Sequence, residues 1–375
     1  MILKYCILAI ALGTVFPIHG QDEGDRRARW GGDIRMRWQG DYQKHRYARN
    51  PLQWAFRLNI NKPVNDRAEF GMQLMTGDPL ALPVAGWVNA SDFMTEKPIH
   101  VQWLFARMVP IAGVTLWGGK FTTPFFRSTQ LVFDNDIPHE GLAQQFRFAN
   151  ADNSTAWGIN LAQIMINQPL SSTKDVTRTY FLGGQIVGEF NRSGMAATVA
   201  LALYGVGNAD SIFVAENLTP RRVRTNNTNR PNATGNGYLS EFRYLNLSAR
   251  ISRSVYERPF TLNLDYAFNP AASNERQGLV AMLTYGNHRN IGGARVAIQG
   301  FMVQADAVAT VFANIDYIRT NQNGGGISLN YQPLENVELM WSAYATEWRD
   351  PALLVKPITR NTLRTRFRFQ VQMRY

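Results

Sequence analysis

Arginine dominates the charge of this chain. Its 39 Lys and Arg comprise 32 Arg and 7 Lys, set against 28 Asp and Glu, for a formal net charge of +11 over 375 residues. Several of the arginines are spaced by two: Arg35 and Arg37 near the front, with Arg57 beyond them, and Arg364, Arg366 and Arg368 at the back, followed by Arg374. A guanidinium stays charged at any relevant pH and offers a flat fork of donors to carboxylate or phosphate, so rows of them suit the steering or holding of anions. A second group, Asp134, Asp136 and Glu140, gathers carboxylates in one short stretch. Such a group could line a polar passage, cap its own turn through side-chain hydrogen bonds, or offer hard oxygen ligands to Ca²⁺. Catalysis has little to work with. His45, His100, His139 and His288 stand in no Gly-x-Ser-x-Gly or His-Glu-x-x-His frame, and His139 beside Glu140 is the nearest approach to an acid–base pair. Cys6 is the one cysteine, so thiol nucleophiles, disulfides and thiolate metal sites are excluded from the mature chain. No enzyme activity and no cofactor are expected.

The spacing of two identifies the element that must carry these groups. From Leu363 to Tyr375, apolar Leu363, Phe367, Phe369, Val371, Met373 and Tyr375 alternate with Arg364, Arg366, Arg368, Gln370, Gln372 and Arg374. Period two puts one set on each face of a strand, and here the two faces call for two solvents, oil and water. The same grammar recurs at Ile34, Met36 and Trp38, at Trp54, Phe56, Leu58 and Ile60, at Ile99, Val101, Trp103 and Phe105, at Phe260, Leu262, Leu264 and Tyr266, and at Val337, Leu339 and Trp341. An antiparallel sandwich also alternates, but it would not combine a polar opposite face with 44 aromatics, many at strand ends.

Connection lengths add an independent signal, because short and long ones take turns. Turn-rich joints at 63–66, 110–113, 150–154, 191–194, 256–259, 288–293 and 333–336 separate long irregular stretches near 39–52, 77–98, 121–142, 165–177, 206–236, 304–323 and 348–362, with a shorter one at 269–275. That describes an all-β, transmembrane, antiparallel up-and-down barrel of about sixteen strands, or fourteen or eighteen if the segments near 143–149 and 276–287 are misread. Closure leaves no open edge for lipid to meet. Residues 1–20 read as a secretory signal, with Lys4 before an apolar core too short to span a bilayer, leaving 21–375 as a single domain. Both termini are expected on the short-turn, periplasmic side of a Gram-negative outer membrane.

Residues 118–141 carry a resemblance. Gly118-Gly119-Lys120-Phe121, then Pro124-Phe125-Phe126, Leu131-Val132-Phe133-Asp134-Asn135-Asp136 and Pro138-His139-Glu140-Gly141, is similar to the putative porin family of bacterial outer-membrane β-barrel proteins, with a general-porin-like plan. The segment from Trp30 to Trp38 resembles that family's first strand, and 63–67 its first short turn. The resemblance implies a water-filled diffusion channel and leaves its solute open. Tyr375 departs from the Phe with which such proteins more often end.

Residues 121–142 form the third long connection, and their Phe121, Phe125, Phe126, Leu131, Val132 and Phe133 are too apolar for a free solvated loop. General porins fold this loop back into the lumen, which implies a constriction bearing Asp134, Asp136, Glu140, Phe125 and Phe126. Opposite it, Arg35, Arg37, Arg57, Arg364, Arg366, Arg368 and Arg374 would form a basic wall, since the first and last strands become neighbours on closure. Some of these arginines could instead pair with Asp33, Glu69, Asp265 or Glu338, while Arg221, Arg222, Arg224 and Arg230 suit lipopolysaccharide phosphates at the rim. A lumen of one sign enriches counter-ions, so anion preference is expected. A substrate-specific channel for an anionic solute or oligosaccharide, and a non-conducting structural or adhesive barrel, are the alternatives. Expected partners are small hydrophilic solutes and ions, outer-membrane lipid and lipopolysaccharide, the barrel assembly machinery and a possible homotrimer. Nucleic acid is not expected, because the charge lies on strand parities and not on a helix or stacking groove.

Overall fold

A computed structural model describes residues 27–44, 46–77, 81–82, 86–90, 96–167, 178–217, 224–225, 228–314, 318–354 and 362–375. Residues 1–20, expected to be a signal segment, and His45, Arg221 and Arg222 therefore lie outside the described residues, as does the Arg224 side chain. Sixteen strands make the wall: β1 (Arg29–Gln43), β2 (Leu52–Asn65), β3 (Ala68–Thr76), β4 (Ile99–Met108), β5 (Val114–Phe121), β6 (His139–Ala149), β7 (Thr155–Asn167), β8 (Thr179–Arg192), β9 (Met195–Gly207), β10 (Phe242–Val255), β11 (Arg258–Phe268), β12 (Gln277–Asn287), β13 (Ala294–Val303), β14 (Gln322–Leu334), β15 (Val337–Trp348) and β16 (Arg364–Arg374). Each pairs antiparallel with its sequence neighbours, and β16 closes on β1 with Asp33 opposite Arg374 and Gln43 opposite Arg364. The expected count and closure hold, including the strands at 143–149 and 276–287. Among the described residues an α-helix, α1 (Asp210–Asn217), follows β9, and no described helix is long and apolar enough to cross a membrane.

Burial is inverted relative to a water-soluble protein. On β1, Ile34, Met36 and Trp38 are 39–47 % exposed, while Asp33, Arg35 and Arg37 are 5–8 % exposed. Large apolar side chains facing out and charges facing in fit a hydrocarbon exterior and a polar interior. Two departures from simple alternation carry structural meaning. In β4 a bulge falls where Gln73 pairs with Trp103 but Leu74 pairs with Val101, so Gln102 is an extra residue. The bulge resets the parity. Trp103 and Phe105, expected on the apolar face with Ile99 and Val101, turn inward instead, and the Phe105 ring packs at a tilt with its centre 5.1 Å from that of Trp117.

The second departure is in β7 to β9, whose inward face is itself apolar: Ala162, Ile164, Phe181, Ala200, Ala202, Tyr204 and Val206 are all buried. This is why 195–206 is the most apolar stretch after the first twenty residues. Its outward residues are exposed on the barrel exterior and its inward ones are buried against other protein. At the short-turn rim, β8 and β9 join through Ser193 and Gly194 at φ 49° and 77°, the paired left-handed geometry of a two-residue hairpin. The β10–β11 turn places Tyr256 and Glu257 in the same region, at φ 49° and 62°, where a Cβ is strained.

Candidate functional site

The connection between β5 and β6, residues 122–138, is fastened to inward-facing strand residues along its length. Phe125 packs with its ring 5.0 Å from Tyr204, 5.7 Å from Phe133 and 6.2 Å from Phe181. Its seat exists because β8 has no side chain at Gly183: a Cβ there would lie 2.5 Å from Phe125 Cζ. Gln185 clamps the next residue from both sides, its Oε1 accepting from Phe126 N at 2.7 Å and its Nε2 donating to Phe126 O at 2.8 Å. Further on, Ser128 N donates to Ser248 Oγ at 2.8 Å and Thr129 Oγ1 to Asp265 Oδ2 at 2.9 Å. The bulge residue Gln102 closes the far end, donating to Asp136 O at 2.6 Å.

A second connection holds the first. Residues 304–314, between β13 and β14, are buried almost throughout. Asp134 N donates to Phe312 O at 2.7 Å, and Asn314 donates to Gln130 through its backbone at 3.2 Å and its side chain at 2.6 Å. That segment is anchored by Asp306, which is fully buried and accepts from Arg230 N at 3.0 Å, Arg230 Nε at 2.8 Å and Ser240 Oγ at 2.7 Å. Arg230 is thus no rim arginine; at 6 % exposure it is a buried partner of a carboxylate.

Between the 122–138 connection and the wall formed by β1, β2 and β12 to β16 lies a cavity of about 670 Å³. Seven guanidiniums and two carboxylates line it. Arg35, Arg37, Arg57 and Arg368 come from the expected wall; Arg127, Arg250 and Arg295 join them. The carboxylates are Asp134 and Asp136. On the wall, Asp33 ties Arg35 and Arg57 together, its carboxylate 3.0 Å from Arg35 Nε and 2.6 Å from Arg57 Nη2. Arg37 Nε donates to Gln53 at 2.8 Å and Arg368 Nε to Gln39 at 2.7 Å. Trp87 lies under Arg37 and Arg35, with the guanidinium carbons 4.0 and 4.8 Å from its ring centre. It is placed there by a two-residue ladder in which Val88 and Asn89 pair with Trp54 and Gln53. Across the cavity, burial pushes the Arg127 pKa down, while Asp134 and Asp136 pull it back up.

The other expected site residues fall elsewhere. Arg366 and Arg364 share Asp41 at the long-loop rim, where Arg364 lines a separate cavity of about 540 Å³. Arg374 pairs with Glu338 at 2.5 Å near the opposite rim. Asp134 caps its own turn by accepting from Asp136 N at 2.8 Å, as its sequence context allowed. Glu140 is not part of the connection at all. It belongs to β6, pairs in register with Lys120 on β5 and meets its Nζ at 3.4 Å, on the outward parity shared with the exposed Leu142. Phe125 is an anchor buried against the wall, whereas Phe126 is partly exposed beneath Arg250, 5.3 Å from its ring centre. His139 is enclosed by Phe133 and Phe312, which leaves it no acid–base role with Glu140.

Sequence reasoning missed Trp87, Arg127, Arg250 and Arg295. Arg250 and Arg295 were visible in principle, since each sits on the polar parity of an alternating segment, next to Ile251 and Val296. Trp87 and Arg127 lie in irregular connections whose paths no periodicity encodes.

Comparison with known proteins agrees with this architecture. The sequence model of a family described as "Putative porin" matches residues 36–211. No curated protein matches the sequence. Among solved structures, a multiply substituted mutant of the Rhodopseudomonas blastica porin aligns with a TM-score of 0.51 at 13 % identity, over 93 % of this chain and 100 % of that one. A loop-deletion mutant of OmpT, an outer membrane protein of Vibrio cholerae, aligns with a TM-score of 0.51 at 8 % identity, over 93 % and 99 % of the two chains. At these identities the likeness shows the fold: a closed sixteen-stranded antiparallel barrel of the kind bacterial porins adopt.

Proposed function

We propose that this barrel is an outer-membrane porin, a water-filled channel through which small hydrophilic solutes and ions diffuse passively, with preference for anions. The observation that carries the reading is the cavity's charge, seven guanidiniums against two carboxylates, with Asp33 behind them. A passage of one sign in a low-dielectric wall concentrates counter-ions and repels co-ions. The 122–138 connection narrows the passage: it stands on the apolar inward face of β7 to β9 and leaves open the half lined by arginine. Partial pairing by Asp33, Asp41 and Glu338 reduces the positive excess without cancelling it. Conduction needs no catalytic group and no energy source, in keeping with the lack of any catalytic frame in the sequence. The barrel lies in the outer membrane with its short turns periplasmic, contacts lipid and lipopolysaccharide from outside, and assembles as a homotrimer.

The test is reversal potential across a planar bilayer under a KCl gradient. The expected sign is that of chloride permeation, with a preference that shrinks as ionic strength rises and screening shortens. Potassium preference would refute the reading, and a protein that inserts but never conducts would point to a structural barrel instead. Band position on unheated and heated detergent gels reports the trimer.

A further inference from the structure

We propose that Arg35, Arg37 and Arg57, with Trp87, form a built binding site for an oxyanion, the carboxylate or phosphate group of a solute in transit. This rests on the anion-preferring channel proposed above and goes beyond it, from steering to specific retention.

Arginines that merely bias a diffusion path can stay mobile and hydrated. These are fixed. Arg35 and Arg37 project from the same face of β1 and are 7 % and 8 % exposed. Both guanidinium carbons lie over the Trp87 ring, 4.8 Å from its centre for Arg35 and 4.0 Å for Arg37, which holds the two cations against one aromatic plane at the cavity. Asp33 lies opposite Arg57 in register and bonds it while also touching Arg35, which holds two cations side by side and neutralises one. Arg35, which lines the cavity, also has a buried Nη2 with no hydrogen-bond partner among the described residues. A buried donor left unmet is costly, and an oxygen drawn in beside Arg35 would supply the missing acceptor. The ligand must be anionic, because the cavity's surplus is positive. It must be an oxyanion, because a planar fork pairs with two oxygens of one group, which chloride cannot offer. Rigid, pre-aimed donors also lower the ordering cost of binding.

The experiment uses the full-length protein in a planar bilayer, with chloride conductance measured as inorganic phosphate or, in a separate arm, acetate is added. Saturable block is expected; block by phosphate alone assigns a phosphate site, and block by acetate as well assigns a general oxyanion site. The half-blocking concentration should rise roughly tenfold or more in Arg35→Gln and also in Arg35→Lys, which keeps the charge but loses the fork. Trp87→Ala, outside the barrel strands, should weaken block several-fold and serves if the Arg35 variants fail to fold. Conductance that changes linearly with either anion, or equal block in wild type and Arg35→Lys, overturns the site. If the reversal potential still has the sign of chloride permeation, only the site falls; if it has the sign of potassium permeation, the channel reading falls with it.

Discussion

Removing the Asp306 carboxylate tests whether the two inward connections behave as one mechanical unit. Asp306→Ala deletes three bonds, from Arg230 N, Arg230 Nε and Ser240 Oγ, and leaves a buried guanidinium with, among the described residues, the acceptors of Asn274. Breaking a buried ion pair by taking away one partner costs about 3–5 kcal/mol. A tenfold change in equilibrium corresponds to about 1.4 kcal/mol, so local opening of residues 304–314 should become roughly 10²- to 10⁴-fold more frequent. The effect should pass into the 122–138 connection, because Asp134 N donates to Phe312 O and Asn314 to Gln130. Hydrogen exchange measures it directly: the amides of Thr310, Asn314 and Asp134 should lose protection together, while mid-strand amides of β2 and β16 keep theirs. Single-channel records should show added noise. The combined Arg230→Met and Asp306→Leu variant should regain most of the protection, since an apolar pair of similar volume leaves no orphaned charge. Unchanged exchange at Asp134 in the presence of fast exchange at Thr310 would refute the mechanical coupling.

Three further outcomes are expected. Phe125→Ala removes a ring buried against Phe133, Phe181 and Tyr204, at a cost of about 3–5 kcal/mol, and should raise or destabilise unit conductance; an unchanged, quiet channel would mean the connection does not limit the pore. At the β10–β11 turn, replacing Tyr256 with Asn and Glu257 with Gly relieves two left-handed residues and should stabilise the barrel by about 1 kcal/mol in urea unfolding, with no change in conductance; destabilisation would show that the turn side chains contribute more than their strain costs. His288 lies between β12 and β13, where burial first and Arg295 second push its pKa below the ordinary value despite Glu338 at 3.3 Å. The folded state thus favours the neutral imidazole, and stability relative to His288→Asn should be highest above about pH 6.5 and decline as pH falls below it; a rise on acidification would reverse the assignment.

How much of this was legible in the residues differs by level. Strand identity, strand number and closure follow from local rules: alternation fixes two faces, turn residues fix where the chain reverses, and oil without backbone acceptors forces the edges to close. Arg35, Arg37, Arg57 and Arg368 could be placed on the inner face from parity alone, and the apolar content of 121–133 announced that this connection is buried. Parity failed at β4, because a single extra residue, Gln102, turns Trp103 and Phe105 to the other side, and a bulge leaves no mark in composition. Glu140 was misplaced for a different reason: its strand begins at His139, ahead of the segment near 143–149 that marks it in the sequence, so the last residues assigned to the connection already belong to the wall.

Everything that depends on distant segments meeting was decided by the tertiary structure. Gly183 as the seat of Phe125, Trp87 beneath two guanidiniums, Asp33 bridging β1 and β2, and Asp306 joining Arg230 to the connection that holds Asp134 each unite residues far apart in the chain. Local sequence sets which face a side chain takes, since that is a property of two neighbouring dihedrals. Which partner it finds there depends on barrel register and on the paths of irregular connections, and those are set only when the whole cylinder closes.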